Sequence, residues 1–285
     1  MEPDTKFWED VITITIYSAV LVLFALGFAV RFINSAFGIV EILWINITGR
    51  PLVKHFVLFP KKLSDEDCRV LHQYFRMYRT LFGHEKRVFE HRVARFMKLK
   101  EWEARGSLVL DQRKKLIISG IAVKLTFGMR RYSMPIFKKI IVFSGPFKNM
   151  RTGNLHKGEF NPAQSHVAFS WKDLMEGLED PNDNLHLGLH EFAHALLMEL
   201  MKGKWADSYF THHFNKVDRI IRKPEGFKRL SSHPYFREYA QTNQMEFFAV
   251  AVEHFFETPS EFKRQIPKLY DKFVRMFNID PLEFN

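Results

Sequence analysis

The sequence predicts an α+β domain that is predominantly helical, contains a small sheet and follows an N-terminal transmembrane helix. Three observations lead to this fold class. Residues 11–30 form an apolar run without a charge. The rest of the chain is dominated by helical periodicity, with only two short apolar runs of strand character. The 285 residues are enough for one large domain, and the single cysteine, Cys68, excludes an intramolecular disulfide or a cysteine-clustered metal site.

The first element is the apolar run at residues 11–30. A bilayer core requires about 20 apolar residues in a helix, which this run supplies. A buried core helix of this length would show a polar stripe, and none is visible. A secretory signal would begin with basic residues, whereas this chain begins with mostly acidic ones. We therefore expect a retained transmembrane helix.

Basic residues flanking the run predict its orientation. Lys6 precedes the run, while Arg31, Arg50 and Lys54 follow it. Because basic residues are retained on the cytoplasmic side, the N-terminus is expected outside and the remainder of the chain in the cytoplasm. This predicts a single-pass membrane protein with a cytoplasmic domain.

The next segment, residues 33–48, is apolar but is interrupted by Glu41 and other polar residues. We favour an interfacial helix with Trp44 at the level of the headgroups. A second span is the open alternative, and it would reverse the side on which the domain lies. The predicted organisation is thus a membrane anchor at residues 1–50 and one domain at residues 51–285.

Charge is concentrated directly after the anchor. Residues 50–150 carry 15 more basic than acidic side chains, whereas the whole chain has a net charge of +10. Residues 86–139 could form a basic surface that faces anionic lipid, or simply solvated helix faces, and the sequence does not choose between them. No nucleic-acid-binding motif accompanies the charge, so a nucleic-acid partner is not expected.

Helix and strand signals follow in order along the domain. Ser64, followed by three acidic residues, predicts a helix start, and apolar residues continue at helical spacing to Phe82. Asp173 opens a turn or a short helix. The remaining segments are predicted as helices at residues 89–97 and 111–127 and as strands at residues 140–143 and 167–171.

The residues with clear chemistry lie in a predicted helix at residues 185–201, with Gly203 as its stop. It contains His190 and His194 in an H-E-x-x-H pattern. Four helical residues turn about 400°, so the two imidazoles share one face and can bind one zinc ion. Glu191 lies beside them, where it can act as a general base toward water.

A catalytic zinc site usually has a third protein ligand. Leu197 and Leu200 occupy positions where a metzincin has Gly and His, which excludes that class. His186 shares the helix face but is too far along the axis to reach the same ion as His190 and His194. A ligand distant in sequence is therefore needed, and the candidates are His212, His213, His233, Glu225, Glu238, Glu246 and His254.

Glu246 is the favoured third ligand because residues 245–256 are apolar on almost every side. A buried carboxylate is costly unless it is ion-paired or metal-bound, and a salt bridge is the open alternative. Glu253, seven residues later on the same face, either orients a ligand histidine or forms a structural ion pair. Tyr239, seven residues before Glu246, either packs or donates a hydrogen bond to an oxyanion near the zinc.

Together these residues resemble the Mlc titration factor A family of zinc peptidases. The matching features are HEFAH at residues 190–194, a Y-A-x-T-x-x-x-E-x-F-A-V pattern at residues 239–250 and the strand at residues 167–171. The resemblance spans roughly residues 63–277. It implies a zincin-like domain with a gluzincin site, in which one Zn²⁺ per chain is bound by His190, His194 and Glu246, with Glu191 as general base and Tyr239 nearby.

The expected function is that of a membrane-anchored zinc metallopeptidase, a hydrolase acting on a peptide or protein substrate. Glu191 would take a proton from the attacking water, and Tyr239 would stabilise the oxyanion. Zincin-like enzymes commonly hold the peptide as an added strand on a sheet edge, and residues 167–170 are the candidate edge.

Two other functions are weighed against this one. The first is a membrane-tethered regulatory protein that binds a partner, such as a transcription regulator, through a zinc-containing fold with little turnover. The second is a purely structural zinc site. An intact general base and the lack of a fourth protein ligand favour the peptidase over both.

Overall fold

The computed structural model describes residues 5–53, 55, 57, 59–148, 153–202 and 208–284. The chain divides into two compact units, Met1–Leu52 and Val53–Asn285. The second unit is mostly helical with a small mixed sheet, which confirms the predicted α+β class at that level.

The first unit is built from one helix, α1 (Thr5–Thr48). The predicted span at residues 11–30 and the predicted interfacial helix at residues 33–48 are therefore one continuous helix. At 1.5 Å per residue its 44 residues extend about 66 Å, roughly twice the thickness of a bilayer core. Its apolar side chains are exposed along almost the whole length, and it is long and apolar enough to cross a membrane.

Four helices begin the second unit. They are α2 (Asp65–Tyr74), α3 (Arg76–Thr80), α4 (Gly83–Leu99) and α5 (Gln112–Thr126). Ser64 caps α2 as predicted, since its hydroxyl oxygen accepts the N–H of Asp67 at 3.1 Å. The predicted continuous helix to Phe82 is wrong, because Phe75 has an extended backbone. Its buried ring lies against the backbone of α5 at Gly120, where a Cβ would be only 2.4 Å from the ring.

Among the described residues, the main sheet has four strands in the order β1-β2-β6-β5. Strands β1, β2 and β6 are parallel, and β5 is antiparallel to β6. A separate two-stranded ribbon pairs β3 with β4. The strands are β1 (Glu101–Arg105), β2 (Lys139–Phe143), β3 (Phe147–Lys148), β4 (Leu155–His156), β5 (Gly158–Asn161) and β6 (His166–Ser170).

Two expectations about β6 require correction. Trp171 begins a helix rather than ending the strand, because the Ser170 hydroxyl caps that helix by accepting the N–H of Asp173. Residues 167–170 are also not a free edge, since β6 pairs with β2 on one side and β5 on the other. The edge strands of the sheet are β1 and β5.

The remaining helices surround the centre of the domain. They are α6 (Trp171–Glu179), α7 (Leu187–Met201), α8 (Ser208–Ile221), α9 (Pro224–Ser231), α10 (Gln244–Glu257), α11 (Pro259–Gln265) and α12 (Pro267–Phe277), with 3-10 helices at Glu238–Gln241 and Pro281–Phe284. Helix α7 packs against α10, α5 and strands β5 and β6. Its Phe192 ring contacts the rings of Phe96, Phe137 and Phe169 in the core. The predicted stop at Gly203 lies outside the described residues.

Candidate metal centre

Helix α7 places the H-E-x-x-H residues in the interior of the domain. His186 caps its N-terminus and accepts the N–H of Leu189 through Nδ1 at 3.4 Å. The helix is apolar on most sides and is buried along most of its length. As a result His190, Glu191 and His194 are only 8%, 7% and 9% exposed. Polar groups buried to this extent require partners or a bound ion.

Helix α10 contributes Glu246 from its first turn. The side chain of Asn243 caps this helix and accepts the N–H groups of Met245 at 2.9 Å and of Glu246 at 3.0 Å. The cap therefore fixes the backbone of Glu246 itself. Because α10 packs along α7, this first turn lies opposite the two histidines.

The three predicted ligand residues meet at one point. Nε2 of His190 lies 3.1 Å from Oε2 of Glu246, and Nε2 of His194 lies 3.2 Å from the same oxygen. The two Nε2 atoms are 3.1 Å apart. Their ligand atoms therefore form a nearly equilateral triangle. Within the described part of the chain, the three side chains form a group whose ligand atoms are close enough together to bind one metal ion.

The triangle fits a zinc ion in size and chemistry. A tetrahedral zinc with bonds of about 2.0–2.1 Å holds its ligand atoms about 3.3 Å apart, close to the three distances observed. Two imidazoles and one carboxylate form a donor set that zinc accepts. Three protein ligands leave the fourth position available for water or substrate, which is typical of catalytic rather than structural zinc sites.

The electrostatics of the site favour a cation between the ligands. Burial lowers the pKa of His190, but the carboxylates of Glu246 and Glu253 outweigh it and raise that pKa to about 10 in the metal-free protein. Burial raises the pKa of Glu246, yet the two imidazoles hold it well below its usual range. A metal ion supplies the positive charge that a proton on His190 supplies in its absence.

Glu253 contacts His190 at Nδ1, the ring nitrogen that does not face Glu246, and Arg237 in turn contacts Glu253. The Nδ1 atom of His190 lies 2.7 Å from Oε1 of Glu253, so Nδ1–H donates to the carboxylate and Nε2 is left for the metal. Arg237 donates to both carboxylate oxygens of Glu253, at 2.7 and 3.2 Å, and also to the carbonyl oxygen of Asn184. Glu253 thus contacts His190 and also forms an ion pair with Arg237.

Glu191 lies between the two histidines and strand β5. Burial raises the pKa of its carboxyl group, while the imidazoles of His190 and His194 act in the opposite direction. The backbone N–H of Phe160 in β5 donates to the carboxylate. Gly158 permits this close approach, because a Cβ there would lie 2.7 Å from Oε1 of Glu191. A carboxyl group with a raised pKa beside a metal is suited to accept and return a proton.

Tyr239 stands at the mouth of the site. Its side chain is half-exposed, and its ring centroid is 5.9 Å from that of His190. Burial, together with the carboxylates of Glu246 and Glu191, raises the pKa of the phenol to about 12. The hydroxyl is therefore protonated at neutral pH and is able to donate a hydrogen bond. This exposed position disfavours a pure packing role.

A cleft of about 530 Å³ opens in front of the site. His190, Glu191 and Tyr239 line it, together with Gly158 of β5 and apolar side chains that include Leu185 and Leu187. The backbone N–H and C=O groups of residues 158 and 160 point away from β6. The Ser170 N–H donates to the Lys157 carbonyl oxygen, and hydrogen-bonded residues alternate with non-hydrogen-bonded ones along an antiparallel pair. Of the β5 residues, Gly158 lines the cleft.

The other candidate ligands lie outside this group. These are His212, His213, His233, Glu225, Glu238 and His254. His186, which is too far along the helix to share the ion, lies outside the group as well. Sequence reasoning did not assign roles to Arg237, Asn243 or Gly158. The N-x-x-E spacing of Asn243 and Glu246 is a helix-start signal that would have revealed the cap. The contact of Arg237 with Glu253 depends on tertiary packing and has no local signal.

Sequence comparisons relate the chain to known proteins. A family model described as glucose-regulated metallo-peptidase M90 matches residues 54–278. The match includes α7 and α10 and begins after α1. The chain is also 22% identical to "uncharacterized protein slr2042" of Synechocystis sp. (strain ATCC 27184 / PCC 6803 / Kazusa), in an alignment that covers 79% of this chain and 88% of that protein.

Proposed function

The chain belongs to the glucose-regulated metallopeptidase M90 family, and on that premise we propose that it is a zinc-dependent peptidase anchored to a membrane by α1. The predicted resemblance to the Mlc titration factor A family is thereby confirmed. The observation that carries the proposal is the ligand triangle of His190, His194 and Glu246, with Glu191 beside it. The small mixed sheet with its edge strand over the helix of the motif supports a zincin-like domain.

The chemistry assigns a separate task to each residue. Zinc bound by the two histidines and Glu246 would polarise the scissile carbonyl and lower the pKa of a bound water toward about 7. Glu191 accepts the proton of the attacking water and delivers it to the leaving amine. Its raised pKa suits this exchange, because a group that titrates nearer neutral pH both takes and releases a proton readily.

Tyr239 and β5 are assigned to the substrate. The protonated phenol of Tyr239 donates a hydrogen bond to the oxygen of the scissile carbonyl as negative charge develops there. The substrate pairs in an extended conformation with the edge of β5 at Gly158, which lines the cleft. Pairing on a strand edge uses the main-chain hydrogen bonds of the substrate and does not depend on its side chains. Apolar groups such as Leu185 and Leu187 would therefore determine which substrate side chains are preferred.

Membrane anchoring is the second part of the proposal. Helix α1 has the length and composition of a span, and its apolar side chains are exposed. The flanking charges favour a cytoplasmic catalytic domain. Full-length protein should stay with membranes after extraction at high pH, and a C-terminal tag should be cleaved by protease only after the membrane is opened. Tag cleavage in intact cells would contradict the orientation, and release by high pH would contradict the anchor.

Peptide cleavage tests the catalytic part. The zinc-loaded full chain in detergent should cleave members of a mixed peptide library, and Glu191→Gln should abolish cleavage while it retains zinc. Glu238→Gln, an exposed glutamate beside Tyr239, is the matched control and should cleave as the wild type does. Full activity of Glu191→Gln would refute the mechanism.

The regulatory-protein alternative gives a different result in the same assay. A zinc-loaded wild type that cleaves no peptide, yet retains a protein partner, would favour a membrane-tethered binding protein. Glu191 argues against that alternative, because a binding protein would not need a carboxylate beside the metal that is not itself a ligand.

A further inference from the structure

Helix α4 carries a row of basic side chains on its outer face. Four residues at spacings of four, four and three project from one side of this helix and form the basic row, namely Arg87, His91, Arg95 and Lys98. His91 is partly buried, and the other three side chains are exposed. The opposite side of α4, which includes the buried ring of Phe89, packs against α5. The basic row therefore faces away from the core.

The segment at residues 59–62 adds two lysines beside this row. The backbone N–H of Lys61 donates to Nδ1 of His91 at 2.8 Å, which places the segment against the middle of α4. Both Lys61 and Lys62 are exposed. Burial lowers the pKa of His91, and the positive charges of Arg95 and Lys61 lower it further, as expected within a group of cations. Positive charge is thus concentrated on one surface of the domain.

The exposed cations of the basic row lack acidic partners. Within the part of the chain that the structure describes, no ion pair joins Arg87, Arg95 or Lys98 to a carboxylate. Glu90 of the same helix is turned toward the domain, since its carboxylate accepts the phenol O–H of Tyr78 at 2.7 Å. Cations that are grouped on one surface without acidic partners attract an anionic partner.

An exposed aromatic ring lies next to the basic row. Phe59, two residues before Lys61, is 87% exposed. Such a ring is stabilised by leaving water, and segments that bind a membrane surface combine aromatic rings with basic side chains. The acidic residues that follow, at positions 65–67, lie in the first turn of α2, where the positive end of the helix dipole offsets part of their charge.

The connection to α1 favours a bilayer as the anionic partner. Phe59 follows Thr48, the last residue of α1, by eleven residues, and an extended chain of that length spans at most about 40 Å. With α1 in a membrane, this tether keeps the surface at a high effective concentration near the headgroups. A free polyanion or an acidic protein has no such advantage over the bilayer.

We propose that the basic row, together with residues 59–62, docks on anionic headgroups of the bilayer that holds α1, with the ring of Phe59 inserted among them. The inference rests on the membrane anchor proposed above and is independent of the catalysis. Docking would hold the domain at a defined height above the membrane, which a flexible connection alone would not do.

Lysine acetylation in lipid nanodiscs tests the proposal. Full-length protein is placed in phosphatidylcholine discs with or without about 30% of the anionic lipid phosphatidylglycerol, and acetylation is followed by mass spectrometry. In anionic discs Lys61, Lys62 and Lys98 should react about fivefold more slowly or slower still, the factor that one cation contributes at such a surface. About 0.5 M salt should remove this protection by screening. Lys172, whose side chain is 70% exposed, is the internal control and should react equally in both kinds of disc.

Paired substitutions locate the contact. The double variant Arg87→Gln with Arg95→Gln should restore most of the acetylation of Lys61 and Lys62 in anionic discs. The double variant Lys228→Gln with Arg229→Gln makes the same change in net charge on α9, which packs against α8 and the 3-10 helix at Glu238–Gln241, and should leave the protection intact. All four substituted side chains are exposed, so both proteins should keep their fold.

The outcomes separate the docking from the anchor. Equal acetylation of Lys61, Lys62 and Lys98 in both kinds of disc would refute the docking while the anchor stands. Protein that does not co-elute with the discs would contradict the anchor and the docking that depends on it. Protection that persists in the Arg87 and Arg95 double variant would overturn the assignment to the basic row.

Discussion

The substitution Arg237→Met removes the cation that is ion-paired with Glu253, the carboxylate that contacts Nδ1 of His190. The Glu253 carboxylate is 1% exposed and accepts two hydrogen bonds from Arg237, at 2.7 and 3.2 Å. Removing one partner of a buried ion pair lowers the free energy of unfolding by about 3–5 kcal/mol. Because Glu253 keeps His190 as a partner and Arg237 is partly exposed, we expect the free energy of unfolding to decrease by an amount near the lower end of that range.

The same substitution should weaken zinc binding. Without Arg237, the Glu253 carboxylate is no longer fixed, and the ring of His190 loses its set orientation toward the metal. Changes to such supporting groups typically reduce metal affinity about 10- to 100-fold. The zinc dissociation constant, measured by competition with a chelator, should rise by that factor. Arg237→Lys should restore part of the affinity, since it retains the charge but not the paired geometry.

Arg264→Met is the matched control for this experiment. Arg264 forms an exposed ion pair with Glu261, and neither residue lines the catalytic cleft. Such exposed pairs contribute about 0–1 kcal/mol. Its zinc affinity should equal that of the wild type. A folded Arg237→Met protein with unchanged zinc affinity would refute the role assigned to Arg237 and Glu253.

Three further predictions follow from the structure. Gly158→Ala should lower kcat about tenfold or more while zinc is retained, because the new Cβ would displace Glu191, and Gly145→Ala, which has open space around it, should be silent. Tyr239→Phe should lower kcat about 100-fold with little change in KM if the phenol acts on the oxyanion, and an unchanged kcat would assign it to binding or packing. Glu257→Gln should raise the melting temperature more at pH 8 than at pH 5. The folded-state pKa of this carboxyl group is raised, so its stabilising contribution is present below its unfolded pKa and is lost as pH rises toward about 9. An equal effect at both pH values would contradict that reasoning.

The centre of the domain could be predicted because its signals are local. The H-E-x-x-H spacing places two histidines on one helix face, and the apolar sequence around Glu246 marks its carboxylate as buried. Seven residues in a helix make almost two full turns, so Glu253 shares the face of Glu246, whereas His254 is rotated by a further 100°. This rotation explains why the structure groups Glu246 with the histidines and places His254 elsewhere.

Features that depend on distant contacts could not be predicted. Strand β1 is short and charged, so its sequence lacks an apolar run, and only pairing with β2 makes it a strand. The break at Phe75 follows from the packing of its ring on Gly120 of α5, which no local pattern encodes. The same holds for the edge position of β5, because it requires knowledge of the strand order.

Zinc stoichiometry tests the central claim most directly. The full-length wild-type protein and the Glu191→Gln variant should each contain one zinc per chain, measured by elemental analysis after removal of free metal. Glu246→Ala should lose the zinc while its fold, monitored by circular dichroism, persists. Folded wild-type protein that takes up no zinc when zinc is supplied, or a Glu246→Ala variant that binds it as tightly as the wild type, would contradict the metal centre proposed for this protein.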